Sequence, residues 1–140
     1  GIDRWGKEYA SFSQSLCQQN ARAEKVGNVR FSKGDAVRLD FPDGSFDAVT
    51  SNYVYHNIAG TNRQQLLLET LRVLKKGGTF AIHDLMSPAR YGDMSAFAEQ
   101  LRKQGYERVE LIDTTRDVFM SPGEARFLAL GGSKLLVGKK

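Results

Sequence analysis

The stretch Phe41-Pro42-Asp43-Gly44-Ser45-Phe46-Asp47-Ala48-Val49-Thr50-Ser51 decides the fold. Pro-Asp-Gly is turn chemistry: proline presets φ, aspartate bonds its own backbone, and glycine takes whatever φ the turn demands. Residues 46–51 then form a mainly apolar run with little polar alternation, and residues 79–83, Thr-Phe-Ala-Ile-His, repeat the pattern. Such runs read as strands buried on both faces, as in a parallel sheet with helices on each side. The segment between them reads as a helix. Thr61-Asn62-Arg63-Gln64 has capping-box spacing, and Leu67, Leu71 and Leu74 recur at i, i+4 and i+7. Lys75 and Lys76 would complement the helix dipole in the last turn, with Gly77 as the stop.

The same reading extends outward. Tyr9, Phe12 and Leu16 lie on one stripe of a helix expected over residues 7–26, closed by Gly27. Asp93 is the expected N-cap of a helix whose apolar face is Met94, Phe97, Ala98 and Leu101, ending at Gly105. Ser121-Pro122-Gly123-Glu124 predicts a fourth, shorter helix to about residue 130, where Gly131-Gly132 follows. Strands are expected at residues 28–32, around Val109, Leu111 and Ile112, and at 135–137. Helices and strands thus alternate, which predicts one α/β domain over residues 1–140 with a doubly wound sheet and helices on both faces.

Composition narrows the function classes. The chain has 140 residues, 41% hydrophobic and 26% charged, which is ordinary globular usage. No apolar run approaches the roughly 20 residues of a membrane span, and residues 1–20 lack the apolar core of a signal peptide. Its one cysteine, Cys17, excludes an internal disulfide and a cysteine-rich metal site; no metal is expected, and a reducing cytoplasm is. The net charge of +4 is scattered apart from Lys75-Lys76 and Lys139-Lys140. It reads as a solvated surface rather than a nucleic-acid footprint.

In open α/β sheets ligands gather at the carboxyl ends of strands. Four such ends carry chemistry here. Gly1-Ile2-Asp3 reads as the end of a strand, where an acid can accept both hydroxyls of a ribose. In Gly34-Asp35-Ala36, the carboxylate can accept from an exocyclic amine while the next amide donates to a ring nitrogen. Ser51-Asn52 and His83-Asp84 close the two apolar runs. Each has a plainer reading. An aspartate after a strand is commonly a turn former, and His56 or His83 can be a hydrogen-bonded structural histidine. Trp5 reads equally as a core residue or as a flat wall for an aromatic ring.

As an ordered set these residues resemble class I S-adenosylmethionine-dependent methyltransferases, in the ubiquinone/menaquinone biosynthesis branch. The resemblance rests on Gly34-Asp35-Ala36, the stretch from Leu39 to Val49, Tyr55-His56-Asn57-Ile58, and Leu71-Arg72-Val73-Leu74-Lys75-Lys76-Gly77-Gly78. Gly1-Ile2-Asp3-Arg4-Trp5 resembles that family's second strand and ribose-binding acid. The resemblance covers residues 1–84 well and the remainder only in its order of elements. It implies a Rossmann-like methyltransferase sheet with S-adenosylmethionine as cofactor. Asp3 would hold the ribose, Trp5 would flank the adenine, and Asp35 and the Ala36 amide would read the adenine edge. Ser51 and Asn52 would lie near the methionine part, and His56 and Asp84 would face a small-molecule or lipid-like acceptor. A general base is optional; His56 or His83 is the candidate, with His56 preferred, since imidazole titrates near neutrality.

The chain departs from the family at its start. Those enzymes carry a first strand and a glycine-rich loop upstream of the Gly-Ile-Asp, and neither is present in residues 1–140. The expectation is therefore a truncated domain, inactive alone, from a protein that an upstream segment could tie to a membrane. In the family the first strand lies between the second and the fourth. Without it the 46–51 strand has an open edge, which strand 28–32 would fill or a second copy would pair with, giving a homodimer. A non-catalytic interaction module using that edge is the alternative function. A nucleic-acid methyltransferase is disfavoured, because Ser51-Asn52-Tyr53-Val54 stands where an Asn/Asp-Pro-Pro-Tyr motif would be needed.

Overall fold

A computed structural model describes residues 1–6 and 11–140, and its contacts divide into two units, Gly1–Asp40 and Phe41–Lys140. In the first unit, β1 (Ile2–Asp3) runs parallel to β2 (Ser32–Lys33), with Ile2 opposite Ser32 and Asp3 opposite Lys33. Strand β2 thus begins where the expected 28–32 strand ends. Between the two strands lies α1 (Gln14–Ala23), capped by the Ser13 hydroxyl, which accepts from the Leu16 amide. The helix is shorter than the expected 7–26. Lys7, Glu8, Tyr9 and Ala10 lie outside the described residues. Phe12 precedes the cap and is 61% exposed, so it belongs to no buried stripe. The helix stops at Glu24, followed by Lys25 in the left-handed region (φ 56°), before Gly27 is reached.

The second unit contains β3 (Phe46–Asn52), α2 (Arg63–Arg72), β4 (Leu74–Leu85), α3 (Pro88–Tyr91), α4 (Met94–Lys103), β5 (Arg108–Asp113), α5 (Pro122–Phe127) and β6 (Ser133–Lys139). Its sheet has the order β3-β4-β6-β5. Strands β3 and β4 are parallel, and β6 is antiparallel to both β4 and β5. Helix α2 packs on β4 and α4 on β5. Leu66, Leu67, Leu71, Phe97 and Leu101 from the helices are buried with Phe80, Ile82 and Leu136 from the sheet. Each such side chain contributes about 1.5–3 kcal/mol by leaving water. Gly138 is required on β6, because a Cβ there would run into the Arg108 carbonyl oxygen and the Phe80 ring.

Two local expectations shift by a residue or more. Asn62, not Thr61, caps α2, its side chain accepting from the Gln64 amide at 2.9 Å. The helix ends at Arg72, and Lys75, Lys76 and Gly77 lie in β4 instead of a last helical turn. Lys75 is drawn there by Asp47 (2.7 Å), and the Gly77 amide donates to the Lys140 carbonyl. By contrast, Asp93 caps α4 through the Ser95 and Ala96 amides, and the Ser121/Glu124 capping box forms.

The expectation that residues 46–51 and 79–83 are buried on both faces is corrected. Strand β4 alternates, with Phe80, Ile82 and Asp84 buried and Ala81, His83 and Leu85 half-exposed, while β3 buries no residue fully. Helices α2 and α4 supply one apolar cover, and alternate side chains point away from it. Strand β2 pairs with β1 and leaves β3 at the edge of its sheet, so the expected insertion of 28–32 beside β3 does not occur.

Candidate active site

In Gly1–Asp40, Asp3 ends β1 and Asp35 follows β2 by two residues. Because the strands are parallel and paired, both acids stand at the same end. Each carboxylate spends one oxygen on its own backbone, as short acidic side chains in turns do. Asp3 Oδ1 accepts from the Trp5 amide at 2.7 Å, and Asp35 Oδ1 from the Val37 amide at 2.9 Å. The second oxygen of Asp35 is 4.0 Å from Arg4 Nε, a loose exposed pair. The Ala36 amide donates to no described residue. Trp5 is half-buried with a left-handed backbone (φ 43°), a conformation rare outside glycine. Two exposed carboxylates, a free amide and a flat ring fit a nucleoside: acceptors for hydroxyls and an amine, and a donor for a ring nitrogen.

In Phe41–Lys140, the ends of β3 and β4 bring the two histidines into different settings. His56 sits in a 3₁₀ turn, Tyr55–Asn57, just beyond β3. The Asp84 carboxylate at the end of β4 is fully buried and clamps that turn. Its Oδ2 accepts from the Tyr55 amide (2.8 Å) and the His56 amide (3.3 Å). Its Oδ1 accepts from the Leu85 amide and lies against His56 Nδ1, both at 2.6 Å. The His56 side chain is 16% exposed, and its Nε2 has no partner among the described residues.

His83 uses both ring nitrogens. Nε2 lies 2.9 Å from Thr114 Oγ1, and Nδ1 lies 3.1 Å from the carboxamide oxygen of Asn52. Burial holds the His83 pKa below its usual value, against a smaller upward pull from Asp84. Tyr53 packs between the histidines, its ring 4.6 Å from that of His83 and 6.2 Å from that of His56. Its left-handed backbone (φ 51°) is held by an amide bond to the His83 carbonyl and a hydroxyl contact of 2.8 Å with Ser133 Oγ.

Of the anticipated residues, Asp3, Trp5, Asp35 and Ala36 fall in the first unit, and Asn52, at the end of β3, and His56, in the turn beyond it, fall in the second. Ser51 Oγ is buried beside the Tyr55 hydroxyl, out of hydrogen-bonding reach, so the serine presents no open side chain. The contact of His56 with Asp84 joins residues 28 apart. Only the adjacency of two parallel strand ends hints at it in the sequence. Tyr53 carried no sequence signal beyond its place after the strand.

A family profile described as "Methyltransferase domain" matches residues 5–82, more than half of the chain. A demethylmenaquinone methyltransferase of Deinococcus radiodurans is 38% identical over 84 residues, 60% of this chain and 34% of its own length. An uncharacterized methyltransferase, YcgJ, of Bacillus subtilis is 37% identical over 88 residues, 63% of this chain and 32% of its own. The chain thus spans about a third of the curated relatives it matches. The crystal structure of the YcgJ protein superposes with a TM-score of 0.61 at 20% identity, covering 100% of this chain and 81% of that one. A SAM-dependent methyltransferase from Aquifex aeolicus gives a TM-score of 0.57 at 17% identity, covering 99% of this chain and 65% of that one. These two likenesses establish a Rossmann-like α/β fold.

Proposed function

Since the chain belongs to the methyltransferase domain family, we propose that it is the part of an S-adenosylmethionine-dependent methyltransferase that holds the nucleoside and takes the proton of the acceptor. When bound, the cofactor supplies a methyl group on a sulfonium: the acceptor's lone pair forms the new bond to carbon while the carbon–sulfur pair stays on sulfur. The residues of this chain bind and orient. Asp3 accepts from the ribose hydroxyls, Asp35 accepts from the adenine amine, the Ala36 amide donates to the ring, and Trp5 flanks it. The family resemblance assigns Asn52 and Ser51, at the end of β3, to the methionine part. His56 Nε2 receives the proton of an oxygen, nitrogen, sulfur or carbon acceptor. Alignment alone can supply roughly 7–11 kcal/mol, so the base adds to a reaction that positioning largely drives. The likeness to a demethylmenaquinone methyltransferase supports a small or lipid-like acceptor.

The observation that carries this reading is the pair Asp3 and Asp35 at one end of parallel strands, with the Ala36 amide, which donates to no described residue, between turn bonds. Millimolar adenosine added to the labelled chain should shift the backbone amides of residues 3–5 and 35–37; shifts confined to other residues would overturn the assignment. Residues 1–140 alone should bind S-adenosylmethionine more weakly than micromolar. Gly77-Gly78 lie in β4 and Gly131-Gly132 follow α5, so neither pair offers a glycine loop after a parallel strand to cradle the amino-acid arm. Calorimetry showing micromolar affinity would contradict this. In the complete gene product, His56→Ala should lower turnover by about 10²–10⁴-fold, the usual worth of a general base; unchanged turnover would clear His56.

The free edge of β3 supports pairing between two copies of the chain. Sedimentation should show dimers whose population rises with concentration, and a monomer throughout would remove the idea. The alternative of a non-catalytic module rests on the same edge. His56 Nε2, without a partner among the described residues, on a ring whose Nδ1 meets a buried carboxylate, favours the enzyme.

A further inference from the structure

We infer that Asp84 is a positioning residue: it fixes neutral His56 as the Nδ1–H tautomer and so leaves a bare Nε2 for the acceptor's proton. The inference rests on the reading of His56 as the base, and it adds how that base is prepared.

The argument is an accounting of lone pairs. A carboxylate only accepts, and it has about four lone-pair sites. At Asp84 all four are taken: two backbone amides on Oδ2, and the Leu85 amide and His56 Nδ1 on Oδ1. Three of these partners are backbone N–H groups that can only donate. The contact of 2.6 Å with His56 Nδ1 adds a fourth donor to that set. The nitrogen carries the hydrogen and donates it, in the short, charge-assisted kind of bond. A neutral imidazole has one N–H, so Nε2 must carry the lone pair. Free histidine prefers the opposite tautomer, so the environment has to impose this one.

A purely structural role for Asp84, clamping the turn through the Tyr55 and His56 amides, would leave the tautomer of His56 unspecified.

The experiment is long-range ¹H–¹⁵N correlation spectroscopy of the 140-residue chain, at a pH where both rings are neutral. His56→Gln and His83→Gln assign the two ring systems. Expected are a protonated Nδ1 and bare Nε2 for His56. An Nε2–H signal pattern for His56 would overturn the inference whatever the activity. Asp84→Asn gives a second arm. The carboxamide oxygen should stay on the Tyr55 and His56 amides, turning its NH₂ toward Nδ1, so His56 should switch to the Nε2–H form. Persistence of the Nδ1–H form in that variant would show that Asp84 does not fix it. If Asp84→Asn does not fold, the wild-type spectrum still decides. In the complete gene product the same variant should lose about 10²-fold or more in kcat, with little change in KM for the cofactor. The expected tautomers combined with a harmless His56→Ala would leave Asp84 a positioning residue but end the reading of His56 as the base.

Discussion

At the scale of single residues, the two histidines show how fully the bonding of a ring determines its use. His83 is committed on both nitrogens to Asn52 and Thr114, and it is half-buried. Burial lowers its pKa in the folded chain, so below about pH 6.5 the unfolded chain binds more protons than the folded one. The sign follows: stability is intact above that value and falls as the pH drops toward the lowered pKa of the folded form. The stabilisation of the parent over His83→Gln, read from urea midpoints, should therefore shrink between pH 7.5 and pH 5.5. A difference that stays constant across that range would mean that His83 titrates alike in both states. His56 differs in having one nitrogen without a partner among the described residues, which separates a candidate base from a structural ring.

At the scale of elements, capping decides where helices begin. Asp93 accepts from two first-turn amides of α4, both at 2.9 Å, ahead of a face that buries Met94, Phe97, Ala98 and Leu101. Replacing Asp93 with alanine should cost about 1 kcal/mol, measured by denaturant unfolding. A loss below a few tenths would mean that packing alone sets the start of the helix. This helix was legible in the sequence because its cap and its period agree, and the Ser121/Glu124 box of α5 was legible for the same reason. Helix α2 was legible in its leucines and misplaced at its ends. Thr61 and Asn62 are both good caps, and local sequence does not choose between them. Lys75-Lys76-Gly77 imitates a helix stop, but the long-range partners Asp47 and Lys140 draw those residues into β4. The His56–Asp84 contact was hidden for a related reason: it joins two strand ends whose adjacency only the assembled sheet supplies.

At the scale of the molecule, the two units differ in how much apolar surface they remove from water. Among the described residues of Gly1–Asp40, Leu39 alone is buried, β1 and β2 have two residues each, and α1 buries none of its side chains. Phe41–Lys140 contains a four-stranded sheet with the buried leucines of α2 and the apolar face of α4. Local stability follows buried contact, so the unit that carries Asp3 and Asp35 should open first. A nucleoside-binding segment of low stability would become ordered in step with its ligand, which ties the fold's weakest part to cofactor capture. The sequence provides the probe: Trp5 is the only tryptophan and lies in the first unit, whereas most of the regular secondary structure lies in the second. In a urea titration the Trp5 fluorescence change should come at lower denaturant than the loss of far-ultraviolet ellipticity, and adenosine should move the first transition toward the second. Coincident transitions without ligand would show instead that the two units unfold as one, and that the small parallel pair draws its stability from the larger sheet.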